Sequence, residues 1–561
     1  MASPSPLDNP LGTARKIRII TIGAGASGLN LVRTLRLHLE PRSYVHQIYE
    51  KNPCVGGTWY ENRYPGCRCD IPSHNYQFSW RPNPEWSSFF SPAEEIGAYL
   101  CKICDEEDMA REIRLGCIVM GAEWHAAEAV WKVKLRDVET GEEFEDKSEV
   151  LINAGGILNN WKWPNIPGLH DFKGELVHSA AWSKDFNYKG KKVAVIGNGS
   201  SGIQIVPELQ PHVEKLVHTV RTPTWLVPPR IQLLSAGKTA DIMSQLELTP
   251  DGDFTAGQIE RFKSDPDFYK RFVKLIEQDV NGNFPIVLKD TPLAKETAMK
   301  LAGYMKMMLQ GNEELCKALI PDFAVGCRRL TPGIGYLESL QAGNTRVLTD
   351  HIARVLPQGI ETVTGEVIEL DAIVCATGFD VSFCPRFPVI GTEDNLQDRW
   401  QNDIPKAYMS CAVPGFPNYF TFLGPNAPIG HGSVFTISEH IAKYLVRIIR
   451  KLQMENVAWL SPTAAATEEL HEHTQRFMPR TAWAAGCSSW FKGGKVEGPV
   501  TALHPGGRIH FFHMLEAFRG EDFEYGYREG GRYGYLGNGF STKEGEGQNS
   551  TWYLDEPDKL Y

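Results

Sequence analysis

Two stretches of this chain carry the same pattern, a short β-branched run that ends in glycines spaced Gly-x-Gly-x-x-Gly. The first is IRIITI at 17 to 22, followed by Gly23, Ala24, Gly25, Ala26, Ser27 and Gly28 and then by the helical pattern LNLVRTLRLHL. The second is KKVAVI at 191 to 196, followed by Gly197, Asn198, Gly199, Ser200, Ser201 and Gly202 and then by IQIVPEL. Each reads as strand, tight turn, helix. The first glycine permits the turn, the second lets backbone approach a pyrophosphate, and the third lets the helix pack close on the strand. Amides at the helix start then face the phosphates. Two such units predict an α/β fold with two Rossmann-like dinucleotide-binding domains.

What stands at the end of the next strand distinguishes the two ligands. After the first loop, VHQIYE ends in Glu50, about 20 residues on, where a carboxylate binds ribose hydroxyls. After the second, KLVHTV at 215 to 220 runs into Arg221 and Thr222 with no carboxylate. A guanidinium there suits the 2′-phosphate of NADPH, which Glu50 would repel. The first loop is therefore expected to hold FAD and the second NADPH. Two further strand ends, LINAGG at 151 to 156 and AIVCATGFD at 372 to 380, carry the small residues that let backbone pass close to a dinucleotide.

The expected organisation is a first FAD-binding part over 1–160, a linker over 161–190, an NADPH-binding domain over 191–390, and the rest of the FAD-binding domain with a C-terminal region over 391–561. A helical insertion is expected at about 230 to 320, from patterns such as QIERFKSDPDFYKRFVKLIEQ. At 561 residues the chain is too long for one core, which agrees with this division. The Gly/Tyr-rich stretch YGYREGGRYGYLGNGF at 525 to 540 reads as surface loop.

Charge narrows the partners. Lys and Arg number 58 against 68 Asp and Glu, a formal net charge of -10, with no concentrated basic face for a phosphate backbone. Nucleic acid is not an expected partner. No segment reaches the roughly 20 apolar residues of a membrane span, and MASPSPLDNPLGTARK lacks a signal-peptide core, so a cytoplasmic protein without stable membrane insertion is expected. HIAKYLVRIIRKL at 440 to 452 reads as a core helix with a solvated basic face. The 12 cysteines are scattered, and free thiols are the expectation. Cys67-x-Cys69 and Cys101-x-x-Cys104 lack the second pair that a four-ligand zinc site needs, and no metal is expected.

Between and around the loops lie two longer patterns. GGTWYENRYPGCRCD at 56 to 70 places Gly56, Gly57, Trp59, Tyr64, Pro65, Gly66 and Asp70 in a fixed spacing, and FKGELVHSAAW does the same for Phe172, Gly174, His178 and Trp182. Together they resemble the two signatures of type I Baeyer–Villiger monooxygenases, within the class B flavin-dependent monooxygenases. The resemblance spans nearly the whole chain in the order FAD loop, tryptophan motif, histidine motif, NADPH loop. One departure is Ser183, where the family usually has Pro or Asp.

The resemblance implies an enzyme that uses NADPH to reduce FAD and adds dioxygen to the flavin. The resulting flavin peroxide then attacks a ketone, giving an ester or lactone. Such an anion in a dry pocket needs a cation beside it, and an arginine stays protonated in every plausible environment. AVGCRRLTPGIGYLESL at 324 to 340 resembles the family's catalytic segment, with Arg329 at the active-site position, Arg328 near the 2′-phosphate of NADPH, and Asp70 as the partner of Arg329. The same resemblance implies FAD contacts from Thr58, Trp59, Tyr76 and the Val119 backbone, an NADP contact from Arg68, and a hinge role for His178. His431 reads as a loop residue, and Trp490 with Phe491 would offer apolar surface to a bulky or cyclic ketone. Oxygenation of nitrogen or sulfur, a non-oxygenating flavin reductase or oxidase, and a flavin-binding scaffold are the competing readings. The Gly-Gly-x-Trp to Asp pattern and Arg329 weigh against the first, and the intact loops with Arg329 and Asp70 weigh against the last.

Overall fold

The computed structural model describes residues 8–228, 246 and 252–555; the parts of the expected insertion at 229–245 and 247–251 lie outside the described residues. Two five-stranded sheets dominate. In the first, the order is Tyr419–Thr421, Val150–Asn153, Ile17–Ile22, Tyr44–Tyr49 and Ile113–Arg114, all parallel. In the second it is Thr345–Leu348, Lys215–Thr219, Lys192–Ile196, Ala372–Cys375 and Glu175–His178, again all parallel. Each glycine loop follows the central strand, and the chain leaves that strand to one side and returns to the other. A crevice opens at such a switch point, above the carboxyl ends of the strands.

The strands read as continuous apolar runs because both faces are covered, one by helices and the other by an antiparallel sheet, so that Ile17 and Ile19 pack on the helical side and Ile20 on the sheet side. Helix Ala26–His38 turns Leu29, Leu31, Val32 and Leu35 inward, and the long helix Val434–Met454 packs along it. The basic face expected on that second helix is there, with Lys443, Arg447 and Arg450 exposed. No described helix is long and apolar enough to cross a membrane.

An antiparallel sheet interrupts each parallel unit: Cys117–His125, Val130–Asp137 and Glu143–Ser148 in the first, and Ile352–Leu356, Gly359–Thr362 and Val367–Glu369 in the second. The insertion is helical where described, with helices Ala256–Ser264, Pro266–Gly282, Pro292–Met308 and Glu313–Leu319.

Two expectations are corrected. The stretch 161–190 is not all connector, because Glu175–His178 pairs with Ala372–Cys375 as the edge strand of the second sheet. Four residues without alternating polarity carry too little pattern to be seen as a strand alone. The Gly/Tyr-rich stretch is likewise not all loop, since Phe523–Tyr527 pairs antiparallel with Val457–Pro462.

His74 locks the insertion onto the first unit. It sits fully enclosed among Phe254, Phe262, Tyr269 and Phe272, with centroid distances of 5.0 to 5.5 Å. Neither ring nitrogen has a hydrogen-bond partner. Burial pulls its pKa down to about 3. Its folded pKa lies below the unfolded value, so the unfolded chain binds the extra proton. The stability it contributes is present above about pH 6.5 and lost progressively as pH falls from there toward about 3. Unfolding free energy measured by denaturant titration from pH 7 to 4 should therefore fall. His74→Phe should flatten the slope by up to ~1.4 kcal/mol per pH unit; an unchanged slope would remove His74 from the acid sensitivity.

Candidate active site

The first cradle is built by backbone that tolerates no side chains. Gly23 has φ of 100°, and a Cβ there would stand 2.9 Å from the Ala154 carbonyl oxygen. Gly25 and Gly57 face one another so closely that a Cβ on Gly57 would lie 3.1 Å from the Gly25 Cα. The tryptophan motif thus presses its second glycine, followed by Thr58 at the start of the short helix Thr58–Glu61, against the nucleotide loop. Ala26 and Ser27 open helix Ala26–His38, with Gly28 packed under Gly23. Glu50 is buried, and its carboxylate accepts from the Ala24 amide at 2.8 Å and the Asn52 amide at 2.9 Å. Burial raises its pKa while those two amides oppose the shift.

Trp59 and Tyr76 meet edge to face at 5.4 Å, and the indole N–H donates to the Tyr76 hydroxyl. Val119 is buried in the antiparallel sheet, just before a bulge in its pairing. A cavity of about 400 Å³ opens beside this unit, lined among others by Lys51, Asn52, Tyr60, Trp161, Trp182 and Arg386. None of these six residues stood out from motif spacing except Trp182. Lys51 and Asn52 follow Glu50 directly, which is the one signal that pointed to them.

The second cradle repeats the design. Gly197 has φ of 104°, a Cβ on Gly202 would collide with the Gly197 carbonyl at 1.9 Å, and Gly199 has open space where its Cβ would be. Asn198 donates to the Thr222 carbonyl, and the Ser200 hydroxyl lies 3.2 Å from that of Thr331. Ser201 approaches the Tyr64 hydroxyl. Arg328 donates to the carbonyls of Thr222 and Pro223 at 2.7 and 3.0 Å, which carries its guanidinium to Arg221. Burial lowers the Arg328 pKa, and the Arg221 charge lowers it further. Among the described residues no carboxylate pairs with either arginine.

The tryptophan motif also touches this cradle. Tyr64 donates to Gln204 on helix Ser200–Leu209, and Gln204 donates to the Arg68 carbonyl at 3.0 Å, so Arg68 is placed through its backbone.

Two residues further on, Asp70 meets Arg329. Arg329 Nε donates to one Asp70 oxygen at 2.5 Å and Nη2 to the other at 2.7 Å, while Nη1 donates to the Ile429 carbonyl at 3.0 Å. Burial disfavours the charged guanidinium, but the Asp70 charge and its hydrogen bonds outweigh this and raise the pKa above the ordinary value. The cation is permanent.

His431 stands two residues past Ile429 with both ring nitrogens buried and no hydrogen bond of normal geometry. Burial brings its pKa to about 4 despite the nearby Val280 carbonyl, so the ring is neutral. Phe491 is only 1% exposed and belongs to the main core, which corrects the expectation that it offers surface to a ligand; Trp490 is half-buried beside it.

Free thiols are also not the whole account, because Cys327 and Cys487 form a disulfide across 160 residues. Their Cα atoms are 6.3 Å apart, within disulfide reach, and a contact that long-range leaves no trace in local spacing. The other described cysteines are free, and Cys101 lies 3.6 Å from Cys54.

His178 closes the strand Glu175–His178 and lies between the two chain crossings that join the sheets. Its ring stacks on Trp161 at 4.5 Å and stands edge-on to Trp163 at 5.7 Å. Nδ1 accepts from the Ala180 amide, which leaves the proton of the neutral ring on Nε2, 3.3 Å from the Thr377 hydroxyl. Trp161 and Phe379 bridge the same two crossings. Trp182, four residues on, packs against Phe186.

The donor sets fit dinucleotides. The helices after both loops start at glycines with no side-chain cap and no acidic residue in the first turn, so their leading amides are free for phosphates. Thr255, Thr291 and Thr463 cap their helices, while Ala93–Glu106 and Arg508–Met514 also start without a side-chain cap. Arg221 and Arg328, which meet no carboxylate among the described residues, suit a phosphate as well.

Comparison with known proteins agrees with this geometry. Residues 15–246 match the family described as flavin-binding monooxygenase-like. The chain is 39% identical over 543 residues to the FAD-binding monooxygenase tazF of Aspergillus terreus, covering 95% of this chain and 93% of that one. It is 32% identical over 512 residues to a Baeyer-Villiger monooxygenase of Pseudomonas aeruginosa, covering 90% of each. Among solved structures it is similar to the closed form of cyclohexanone monooxygenase, with a TM-score of 0.76 and 26% identity over 92% of this chain and 100% of that one. It is similar as well to cyclohexanone monooxygenase from Rhodococcus sp. Phi1 bound to NADP+, with a TM-score of 0.73, 26% identity and the same coverage. A double dinucleotide fold, both signature motifs and relatives matched over nearly their full length lead to one conclusion: the chain belongs to the flavin-binding monooxygenases, as a flavoprotein of the Baeyer–Villiger monooxygenase family.

Proposed function

We propose that this enzyme consumes NADPH and dioxygen to insert one oxygen atom next to a ketone carbonyl, giving an ester or lactone, on a bulky or cyclic ketone. The observation that carries the reading is the Arg329–Asp70 pair, a permanent cation held by one cradle's motif and reached from the other cradle's domain. In this reading Gly23, Gly25, Ala26, Ser27, Gly28, Glu50, Gly57, Thr58, Trp59, Tyr76 and Val119 hold FAD. Gly197 through Gly202, Arg68, Arg221, Thr222 and Arg328 hold NADPH. Bound FAD, reduced by NADPH, supplies the electrons and the oxygen activation.

The protein's part is electrostatic and positional. Arg329 offers a fixed positive charge to the oxygen anion that develops at the attacked carbonyl, and a cation already in place costs no reorganisation during the reaction. Asp70 aims the guanidinium through two parallel hydrogen bonds. The neutral His431 and the half-buried Phe284, in ring contact at 6.2 Å, form apolar surface on the Ile429 side of Arg329, backed by the core residue Trp483 at 6.1 Å from Phe284. Such surface favours a bulky ketone over a small polar one.

His178 acts on motion in this reading. It touches both crossings between the sheets, so its packing sets how the two units move as reduction gives way to oxygenation.

Labelled dioxygen with NADPH should leave one labelled oxygen in an ester or lactone; label found only on nitrogen or sulfur of the substrate would overturn the ketone reading. Arg329→Ala should lower product formation by ~10²-fold or more while FAD stays bound, and an unchanged rate would remove the catalytic assignment. Arg221→Ala should raise the KM for NADPH by roughly 10- to 100-fold, the worth of a charge-assisted hydrogen bond, with the KM for NADH unchanged. Equal effects on both coenzymes would show that Arg221 does not read the phosphate. His178→Ala should slow turnover several-fold with full FAD content, and full activity would return it to a packing role.

A further inference from the structure

The segment that carries Arg329 has little regular structure to hold it. Between helix Glu313–Leu319 and the two-residue strand Thr331–Pro332 the backbone is irregular, and so is most of the chain around Cys487. Positioning a catalytic group to a fraction of an ångström on such backbone requires anchors. On one side of the guanidinium those anchors are Asp70 and Ile429, and for Arg328 they are the carbonyls of Thr222 and Pro223. On the other side the anchor is covalent, the disulfide from Cys327, two residues before Arg329, to Cys487.

The far end of this tether is itself fixed. Lys492 is 3% exposed, and its ammonium donates to the carbonyls of Ala485 and Val496, closing the loop that holds Cys487. Lys289 donates its amide to the Arg480 carbonyl at 2.9 Å, and Leu288 bridges Thr481. Gly326, with φ of 89°, lies so close to Val287 that a Cβ would stand 2.8 Å from it, and Ala482 lies beside the same position. The insertion, the C-terminal loop and the arginine segment therefore converge on one cross-link, whose two cysteines are 0% and 2% exposed.

We propose that the Cys327–Cys487 disulfide is a positioning element for Arg329, so that the thiol state of this pair governs how well the reduced enzyme retains its activated oxygen. The proposal rests on the catalytic reading of Arg329. Opening the bond takes two electrons from a dithiol: a reagent thiolate attacks one sulfur and the released cysteine takes up a proton. The second reagent sulfur then displaces the other cysteine as a thiol, and the reagent leaves as a cyclic disulfide. Because both sulfurs are buried, the exchange waits on opening of the loop around Cys487.

The test uses full-length holoenzyme lysed with a thiol-blocking reagent and no reductant. Mass spectrometry should find the peptides of Cys327 and Cys487 joined; both thiols blocked singly would overturn the proposal. The protein is then treated with dithiothreitol, freed of it by anaerobic gel filtration, and compared with Cys327→Ala/Cys487→Ala and with Arg329→Ala. Hydrogen peroxide release is followed after mixing with NADPH and air, without ketone. Release should rise about threefold or more in the reduced protein, the double variant and Arg329→Ala, with FAD content unchanged, and dithiothreitol should not affect the double variant. A cross-link with a structural role alone would lower the melting temperature and leave peroxide release at the untreated rate, which overturns the proposal. If Arg329→Ala also matches the untreated enzyme, the failure belongs to the arginine's assignment and takes the proposal with it.

Discussion

The bidentate contact between Arg329 and Asp70 is where this molecule is joined. Asp70 ends the tryptophan motif of the first unit, Arg329 leaves the helical insertion of the second, and Ile429, on the final return of the chain, accepts the remaining guanidinium bond. Two charges taken largely out of water are costly apart and tolerable together. Removing one partner leaves the other half-buried and without its counter-charge, which costs stability. Three distant parts of the chain thus meet at one fixed positive charge.

Around that contact the protein uses one device twice. Each cradle consists of a central parallel strand, a glycine turn with positive φ, and a helix whose first amides are left uncapped. A capping side chain would steady each helix by roughly 1 kcal/mol, and its absence at these two helices leaves donors for phosphate. The stretch from Gly57 to Asp70 then ties the copies together, because Gly57 abuts the first loop while Tyr64 and Arg68 engage Gln204 on the second loop's helix. A movement of either cradle is felt by the residues that orient Arg329.

Much of this was legible in the residues. The two glycine loops set the fold class because few other backbones bring strand, phosphate and helix so close. The spacing from Gly56 to Asp70 and from Phe172 to Trp182 placed the family. What was not legible is what depends on separation. The Cys327–Cys487 bond, the stacking of His178 on Trp161, and the enclosure of His74 by the insertion's aromatic rings all join residues whose neighbours give no hint of one another. Phe491 illustrates the same limit from the other side: a tryptophan–phenylalanine pair looks alike in sequence whether it lines a pocket or fills a core.

The sequence by itself determined the architecture, the two nucleotide sites and the residue types available for chemistry, since these follow from local backbone geometry and from charge at fixed offsets along the chain. Only the tertiary structure decided how the Arg329 guanidinium is shared between Asp70 and Ile429, which rings and hydroxyl His178 meets, and which cysteines are joined. Those outcomes depend on distances between segments more than a hundred residues apart, and such distances are set by the packing of whole sheets and helices, not by any local pattern.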